Sequence, residues 1–404
     1  MRFRKQDVPY MTPNWKQAIK MKRKYAQQYA QNRTDENWKL KTKWRNKATK
    51  CRRRAIRDYW QQKSHDLRSR PHDFYKLFRP FLSDNSKGKD KTAINIKVNG
   101  KIEKDQDKVA NILANYFSTM ANNIGGTSVN IVTEQDLLNH PSITNIEKAG
   151  ASQPGKFSFK LLDTSTVKLT LEKLNTRKAS GYDAITPRIL KHASDGNATS
   201  LTKLYNESIL RGERPEAWKK GEWSSIYKKD DRFDVANYRP ITLLCTVDKI
   251  FEQLLSKQLI ERTFDPVPHP CLSAYRKNHS CETTLIKLTE DWKLTVDEKQ
   301  YGGVLSTDMS KAFDSLYPPL MMNKLKAYDF SIVSLNLIRS YFSNRMNRVK
   351  LDSAVSNWKN VTRGCPQGSS FGPLLWNIYQ NDLTYFVQNN LSLSMYADDH
   401  QLYV

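Results

Sequence analysis

Three carboxylates in this chain stand at the ends of strand-like runs. Val304-Leu305-Ser306-Thr307 leads into Asp308, and Met309-Ser310-Lys311-Ala312-Phe313-Asp314 follows. Near the carboxyl end, Leu393-Ser394-Met395-Tyr396-Ala397 leads into Asp398-Asp399, followed by His400-Gln401-Leu402-Tyr403-Val404. The first pattern predicts a short apolar strand, a turn and a helix. The second predicts two strands with the acid pair at the turn between them. Adjacent carboxylates repel, and gathering three in one small volume costs free energy unless a cation neutralises them. Hard oxygen ligands suit Mg²⁺, which keeps waters and shares substrate phosphates. Two such ions about 3.5–4 Å apart serve in-line phosphoryl transfer, one at the attacking hydroxyl and one at the leaving group. Between the two acid-bearing segments, residues 363–375 (RGCPQGSSFGPLL) read as a tight Pro- and Gly-punctuated loop entering an apolar helix.

An acid pair alone says little. Asp230-Asp231 in KKDDRFD is another, and it reads as solvated loop. The pair at 398–399 differs in its flanks: apolar residues precede it and β-formers follow, so buried strands present the acids rather than a polar run. His269, Cys271, His279 and Cys281 carry soft metal ligands, but their spacing matches no common zinc finger.

Around these segments, the composition is that of a globular protein, with 38% hydrophobic and 26% charged residues. The five cysteines are odd in number and scattered, which points to a reducing compartment. The start, MRFRKQDVPY, lacks the apolar core of a signal peptide. No apolar run is long enough to span a membrane. Net charge is +25, unevenly spread: residues 1–70 hold 22 Lys and Arg against 5 acids, the remainder 44 against 36. That asymmetry favours a polyanion partner, nucleic acid being the commonest.

Residues 14–70 read as helix, with Leu40, Trp44, Ala48, Cys51, Ala55 and Tyr59 as an apolar stripe at spacings of three and four. The surrounding Lys and Arg make a cationic cylinder suited to a phosphate backbone. Residues 84–95 are a polar linker. IKVNGKIEK predicts a hairpin turning at Asn99-Gly100. Residues 106–121 predict an amphipathic helix, and 122–160 a loop. From 163 onward helices alternate with short strands.

The three segments resemble motifs A, B and C of reverse transcriptases: strand-Asp-x₄-Phe, a PQGS loop and YADD. Residues 177–190 (RKASGYDAITPRIL) are similar to a K-x-x-G-x-D-x-I segment at the start of the fingers in LINE-type (non-LTR) retrotransposon polymerases. Residues 218–251 resemble the stretch carrying the YRPI-x-LL motif, and the family is jockey-like. The resemblance covers roughly 170–404. It implies an α/β right-hand polymerase fold: fingers over 163–303 and a partial palm with an antiparallel sheet over 304–404. Ahead of these stand a linker, hairpin and helix over 84–162 and a basic helical connector over 1–83.

The same resemblance implies an RNA-directed DNA polymerase that joins nucleotides to a primer 3′-hydroxyl with two Mg²⁺ ions. Asp308, Asp398 and Asp399 match its catalytic, metal-holding aspartates. Lys228, Lys229 and Arg239 occupy its basic triphosphate positions. The backbone from Met309 through Ser310 and Lys311 to Ala312 would meet phosphate, and Phe313 would exclude a 2′-hydroxyl. Gln367 and Gly368 match the loop lining the nucleotide pocket, and Tyr396 the residue at the primer end. Implied partners are template RNA, primer DNA and deoxynucleoside triphosphates, with no membrane; the implied site of action is intracellular, the nucleus for the working element, with the cytoplasm also open. The full element would add an endonuclease and a thumb, which this chain is expected to lack. Two other readings stay open from sequence: a remnant that only binds nucleic acid, and a polymerase that makes RNA, against which Phe313 argues.

Overall fold

The computed structural model describes residues 10–69, 93–121, 134–149, 157–263, 271–309, 311–387 and 391–404. The chain divides into two compact units, Met1–Thr92 and Ala93–Val404.

The first unit holds helices α1 (Pro13–Gln31) and α2 (Asp35–Ser69). The helix expected over 14–70 is broken at residues 32–34, because a new N-terminus begins there. The Thr34 hydroxyl accepts the Asn37 amide at 3.3 Å, and Asp35 and Glu36 fill the first turn. The two helices fold back on each other. Tyr29 meets Trp38 at 5.2 Å between ring centres, Tyr25 stacks on Trp44 at 6.2 Å, and Tyr10 lies against Tyr59 at 6.0 Å. Falling numbers on one side face rising numbers on the other, so the hairpin is antiparallel. The apolar stripe is the packing seam, with Ala48 and Ala55 buried in it. The expected linker lies largely outside the described residues.

The second unit opens with strands β1 (Ile96–Val98) and β2 (Lys101–Glu103), turning at Asn99 and Gly100 with φ of +49° and +81°. Both positive values are what a two-residue turn matching strand twist requires. Helix α3 (Gln106–Thr119) follows, and Val109, Ala110, Leu113, Ala114 and Phe117 form its buried face. Residues 122–160 are not all loop: α4 (Glu134–Leu138) and α5 (Pro141–Lys148) lie within them. His140 caps α5 through Nδ1, Pro141 starts it, and Ile143 and Ile146 are buried. Its eight residues are too few for a period to emerge from a polar background.

Helices α6 (Thr164–Glu172), α7 (Pro187–His192), α8 (Ser194–Arg211) and α9 (Thr246–Thr263) surround strands β3 (Lys220–Tyr227) and β4 (Tyr238–Leu244). Beyond α10 (Cys281–Asp297) come β5 (Val304–Asp308), the single turn α11 (Ala312–Ser315), α12 (Pro318–Ala327) and α13 (Ile332–Phe342). Then follow β6 (Arg345–Leu351), β7 (Ala354–Val355), β8 (Lys359–Val361), α14 (Gly372–Gln380), β9 (Ser392–Tyr396) and β10 (Asp399–Tyr403).

Two sheets frame the site. A five-stranded sheet runs β4-β3-β6-β7, with β8 also on β6. Its pairings are antiparallel except for the parallel β3–β6 pair. Pro240 is tolerated because β4 is an edge strand. Helix α3 packs on this sheet through Phe117, Trp223, Tyr238 and Val349. The second sheet, β5-β10-β9, is antiparallel throughout. The main core, including Phe251, Leu325, Ile338 and Trp376, lies among the helices. Strand β5 is exposed along its whole length, although it opens with Val304 and Leu305.

Candidate active site

The β5-β10-β9 sheet sets the acids. Asp399 pairs with Asp308 in register, and residues directly opposite in an antiparallel ladder share a face. Ala397 and Asp398 make the two-residue turn from β9 to β10, with Ala397 at φ +57°. Bonds from neighbouring segments hold that turn and the strand leading into it. The indole of Trp376 donates to the Ala397 carbonyl at 3.2 Å, the Met309 amide donates to the Asp398 carbonyl at 3.3 Å, and the Ser273 amide donates to the Met395 carbonyl at 2.9 Å. Asp399 is thus the first residue of β10 rather than part of the turn.

Asp308 and Asp398 line one cavity of about 610 Å³. Its other walls carry Lys228, Lys229, Arg239, Met309, Lys311, Ala312, Phe313, Gln367 and Gly368. Tyr396 and the exposed Asp399 are not among its lining residues, and Ser310 lies outside the described residues. Eleven residues singled out from the sequence therefore converge, drawn from four separate stretches of chain.

The basic wall comes from the five-stranded sheet. Lys228 and Lys229 follow β3, where the Lys228 amide donates to the Asn237 carbonyl at 2.9 Å, and Arg239 sits exposed on β4. Cations therefore face acids across open space, which is an arrangement for an anion and its counter-cation. The donor set on the acidic wall is all oxygen and suits a hard cation. Among the described residues, no three His, Cys, Asp or Glu side chains converge closely enough to chelate an ion unaided. Magnesium at Asp308 and Asp398 would thus draw its remaining ligands from water and substrate oxygens, as that ion commonly does. Of the soft-ligand group, Cys271 is buried, His279 and Cys281 are exposed, and His269 lies outside the described residues.

The floor is built from α11 and the 366–369 loop. Phe313 lines the cavity with its ring 5.5 Å from Trp376 and 6.3 Å from Tyr275. It is both cavity wall and core edge. The Gln367 carbonyl accepts the Thr242 amide at 2.7 Å, which ties the loop to β4. A Cβ on Gly368 would stand 2.6 Å from the Thr242 carbonyl oxygen, at φ +127°, so only glycine fits. The expected row of phosphate-facing amides is shorter than the sequence implies. The Met309 amide is committed to Asp398, and α11 is a single turn.

Eleven further lining residues have no chemistry assigned from sequence, and four of them bear on the site. Tyr116, on α3, accepts the Lys311 ammonium at 3.1 Å, with that ammonium 5.0 Å from the ring centre. Met120 and Tyr275 line the same space. Asp314 accepts the Gln367 amide at 2.8 Å and is half-buried. Burial pushes its carboxyl up to about 6, against the Gln367 hydrogen bond and the pull of Lys311, Arg345 and Arg239. His400, next to the acids, turns inward. It is 4% exposed, its Nε2 lies 3.1 Å from Gln380 Oε1, and burial lowers its basicity.

The stretch that carries this site matches, over residues 226–404, the family described as Reverse transcriptase (RNA-dependent DNA polymerase). Residues 226–404 belong to the reverse transcriptase family. The chain is 29% identical over 231 residues to a probable RNA-directed DNA polymerase from transposon X-element of Drosophila melanogaster, covering 56% of this chain and 25% of that protein. It is 28% identical over 242 residues to the RNA-directed DNA polymerase from mobile element jockey of Drosophila funebris, covering 58% and 26%. It is 29% identical over 247 residues to the Pol polyprotein of type-1 retrotransposable element R1 of Bradysia coprophila, covering 59% and 24%. The chain spans about a quarter of the length of these relatives. The reverse transcriptase segment is jockey-like, and its fold is the mixed helix and antiparallel-sheet fold expected for fingers and palm.

Asp314 in this reverse transcriptase segment gives a pH prediction. Its folded value of about 6 lies above the ordinary 3.8, so the folded state holds a proton that the unfolded state releases. Stability is then full below pH 4 and is lost as pH rises through 6, by up to about 3 kcal/mol. Asp314→Asn keeps an acceptor for Gln367 and removes this loss. Urea midpoints should rise in the variant at pH 7.5 and coincide with wild type at pH 4. Equal midpoints at pH 7.5 would show that the carboxyl is already neutralised by its cations.

Proposed function

We propose that the cavity is the nucleotide site of an RNA-directed DNA polymerase that extends a DNA primer on an RNA template. One observation carries the reading: Asp308 and Asp398 share a cavity with Lys228, Lys229, Arg239, Gln367 and Phe313. Asp308 and Asp398, with Asp399 opposite Asp308 on β10, would hold two magnesium ions together with substrate oxygens, and such ions would supply charge neutralisation and acidify the primer hydroxyl. Lys228, Lys229 and Arg239 bind the triphosphate by charge-assisted hydrogen bonds. Gln367 and Gly368 shape the wall against the base and sugar, and Lys311, held over Tyr116, closes the phosphate side. Phe313 presses on the sugar where a 2′-hydroxyl would stand. Tyr396, at the end of β9, meets the primer terminus from outside the cavity. In the whole element this activity works in the nucleus.

The test separates binding from joining. Deoxynucleoside triphosphate with Mg²⁺ should raise the melting temperature of the full chain, since a ligand of the folded state stabilises it by mass action. Primer extension on an RNA template gives the second readout, and Phe313→Ala should admit ribonucleotides. No magnesium-dependent shift with any deoxynucleotide would sink the reading. Equal ribonucleotide use by wild type and Phe313→Ala would remove the steric role of that ring.

A further inference from the structure

The first unit carries a feature that nucleotide joining leaves unused. Across residues 39–57, α2 holds ten Lys and Arg and no acid. The folded hairpin sorts them. Ala48, Ala55 and Trp44 turn to α1, and Lys39, Lys43, Lys50, Arg53 and Arg57 recur at helical spacing on the opposite side. All five are exposed, and none has an ion-pair partner among the described residues. The stripe is straight and about 27 Å long at 1.5 Å per residue. That length matches about eight base pairs of a duplex. The facing helix α1 adds Lys16, Lys20, Lys22, Arg23 and Lys24 and contains no acid.

Such a helix works against itself. Lys39 with Lys43, Lys50 with Arg54 and Arg53 with Arg57 are like charges four residues apart, each pair costing a few tenths of a kcal/mol. One acid relieves this at the far end, where Asp58 lies 3.8 Å from Arg54. A surface that only needs solubility would intersperse signs. This one stores repulsion that a polyanion releases.

We propose that the outer face of α2 is a sequence-independent binding site for a nucleic-acid phosphodiester backbone, distinct from the nucleotide cavity. An anionic membrane is the competing polyanion, and the fold argues against it. An interfacial helix needs an apolar face to bury in lipid. Here that face is spent on α1, with Tyr25 stacked on Trp44 and the Lys41 ammonium 4.2 Å from the Tyr29 ring centre. The aromatics close the hairpin and leave the cations outward.

The experiment uses the full chain and needs no catalysis, so it stands or falls apart from the polymerase reading. Binding to a short RNA duplex, to a DNA duplex of equal length and to phosphatidylserine vesicles is measured from 50 to 200 mM salt. In the test variant Lys39, Lys43, Lys50, Arg53 and Arg57 become Gln. In the control, Lys97, Lys101, Lys104, Lys173 and Lys203 become Gln, which removes the same charge elsewhere. Each phosphate contact contributes about 0.9 to the slope of log affinity against log salt. With four or five contacts gone, the fall in affinity across that salt range should be roughly 100-fold smaller or more in the test variant than in wild type. The variant's loss of affinity should already be visible at 50 mM salt. The control should follow wild type. Helix content by circular dichroism should stay level or rise in the test variant, because self-repulsion is relieved. RNA and DNA curves that move together assign the site to the shared backbone. A loss confined to RNA or to DNA, an unchanged slope, an equal loss in the control, or stripe-dependent vesicle binding as strong as duplex binding would overturn the proposal.

Discussion

Asp308→Asn is expected to make the metal-free protein slightly more stable while removing primer extension and the magnesium-dependent nucleotide shift. The reason is the register. Asp308 lies directly opposite Asp399, with Asp398 beside them in the turn. Like charges directly opposite on a sheet are destabilising, by roughly 0.2–1 kcal/mol. Neutralising one should raise the melting temperature by about one or two degrees, since about 1 kcal/mol moves a domain of this size by about 2–4 °C. Wild type should overtake the variant once magnesium and nucleotide are added. The loss of rate should be on the order of a thousand-fold, the scale of removing one preorganised charge partner of a transition state. Asp308→Glu is the control. It keeps the repulsion, so it should gain no stability, yet it displaces the carboxylate by a methylene and should still lose rate about a hundred-fold. A metal-free Asp308→Asn protein less stable than wild type would mean that the acid supports the sheet by contacts unrelated to a cation.

Much of this arrangement is legible in the sequence because the signals are local. A hairpin at Asn99-Gly100, a strand ending at Asp308, a Pro-Gly loop at 366–368 and a hairpin tip at Asp398 each depend on a few neighbouring residues. Their order along the chain supplies the resemblance, and the cavity brings them together. What stays hidden depends on distance along the chain. Tyr116 meets Lys311 across 195 residues, and no period in the helix 106–121 marks one of its aromatics as a cavity residue. From sequence, Asp314 is only the tail of a motif. Its burial against Gln367 makes it a structural acid.

Where structure and expectation part, the causes are physical too. The apolar stripe of α2 is the packing face that its spacing predicts, but the basic residues around it suggest one long rod. Thr34, Asp35 and Glu36 are the signal that a new helix begins, and they turn the rod into a hairpin. Val304 and Leu305 suggest a buried strand, yet β5 is exposed, with Leu305 at 62%. Strand propensity fixes its conformation there, and composition does not fix its burial.

The largest loss of stability is expected away from the cavity, at Arg214, which no local pattern marks. It follows the C-cap Gly212 of α8 and is 3% exposed. Its guanidinium pairs with Asp248 and reaches Glu252 at 3.6 Å, both carboxylates being on one face of α9 and almost fully buried. Glu252 in turn accepts the Ser369 hydroxyl and the Ser370 amide, each at 2.8 Å. The cluster therefore braces the loop that carries Gln367 and Gly368. Burial drives the Asp248 carboxyl above the carboxylate range, and Arg214 pulls it back. Arg214→Met removes the cation that lies between two buried acids, and breaking such a pair costs about 3–5 kcal/mol. Asp248, already held above the carboxylate range by burial, can lower that cost by taking up a proton in the folded state. Asp248 stands at about 7 with Arg214 present and higher without it, so urea denaturation should show a deficit that grows as pH rises above about 7. Arg214→Met combined with Asp248→Asn and Glu252→Gln should recover most of the loss. The neutral side chains need no counter-charge, and the amide oxygen introduced by Glu252→Gln would still accept from Ser369 and Ser370. Failure of this rescue, with a deficit independent of pH, would assign the role of Arg214 to packing against Tyr341 and Phe251, whose ring centres lie 4.9 and 5.8 Å from it.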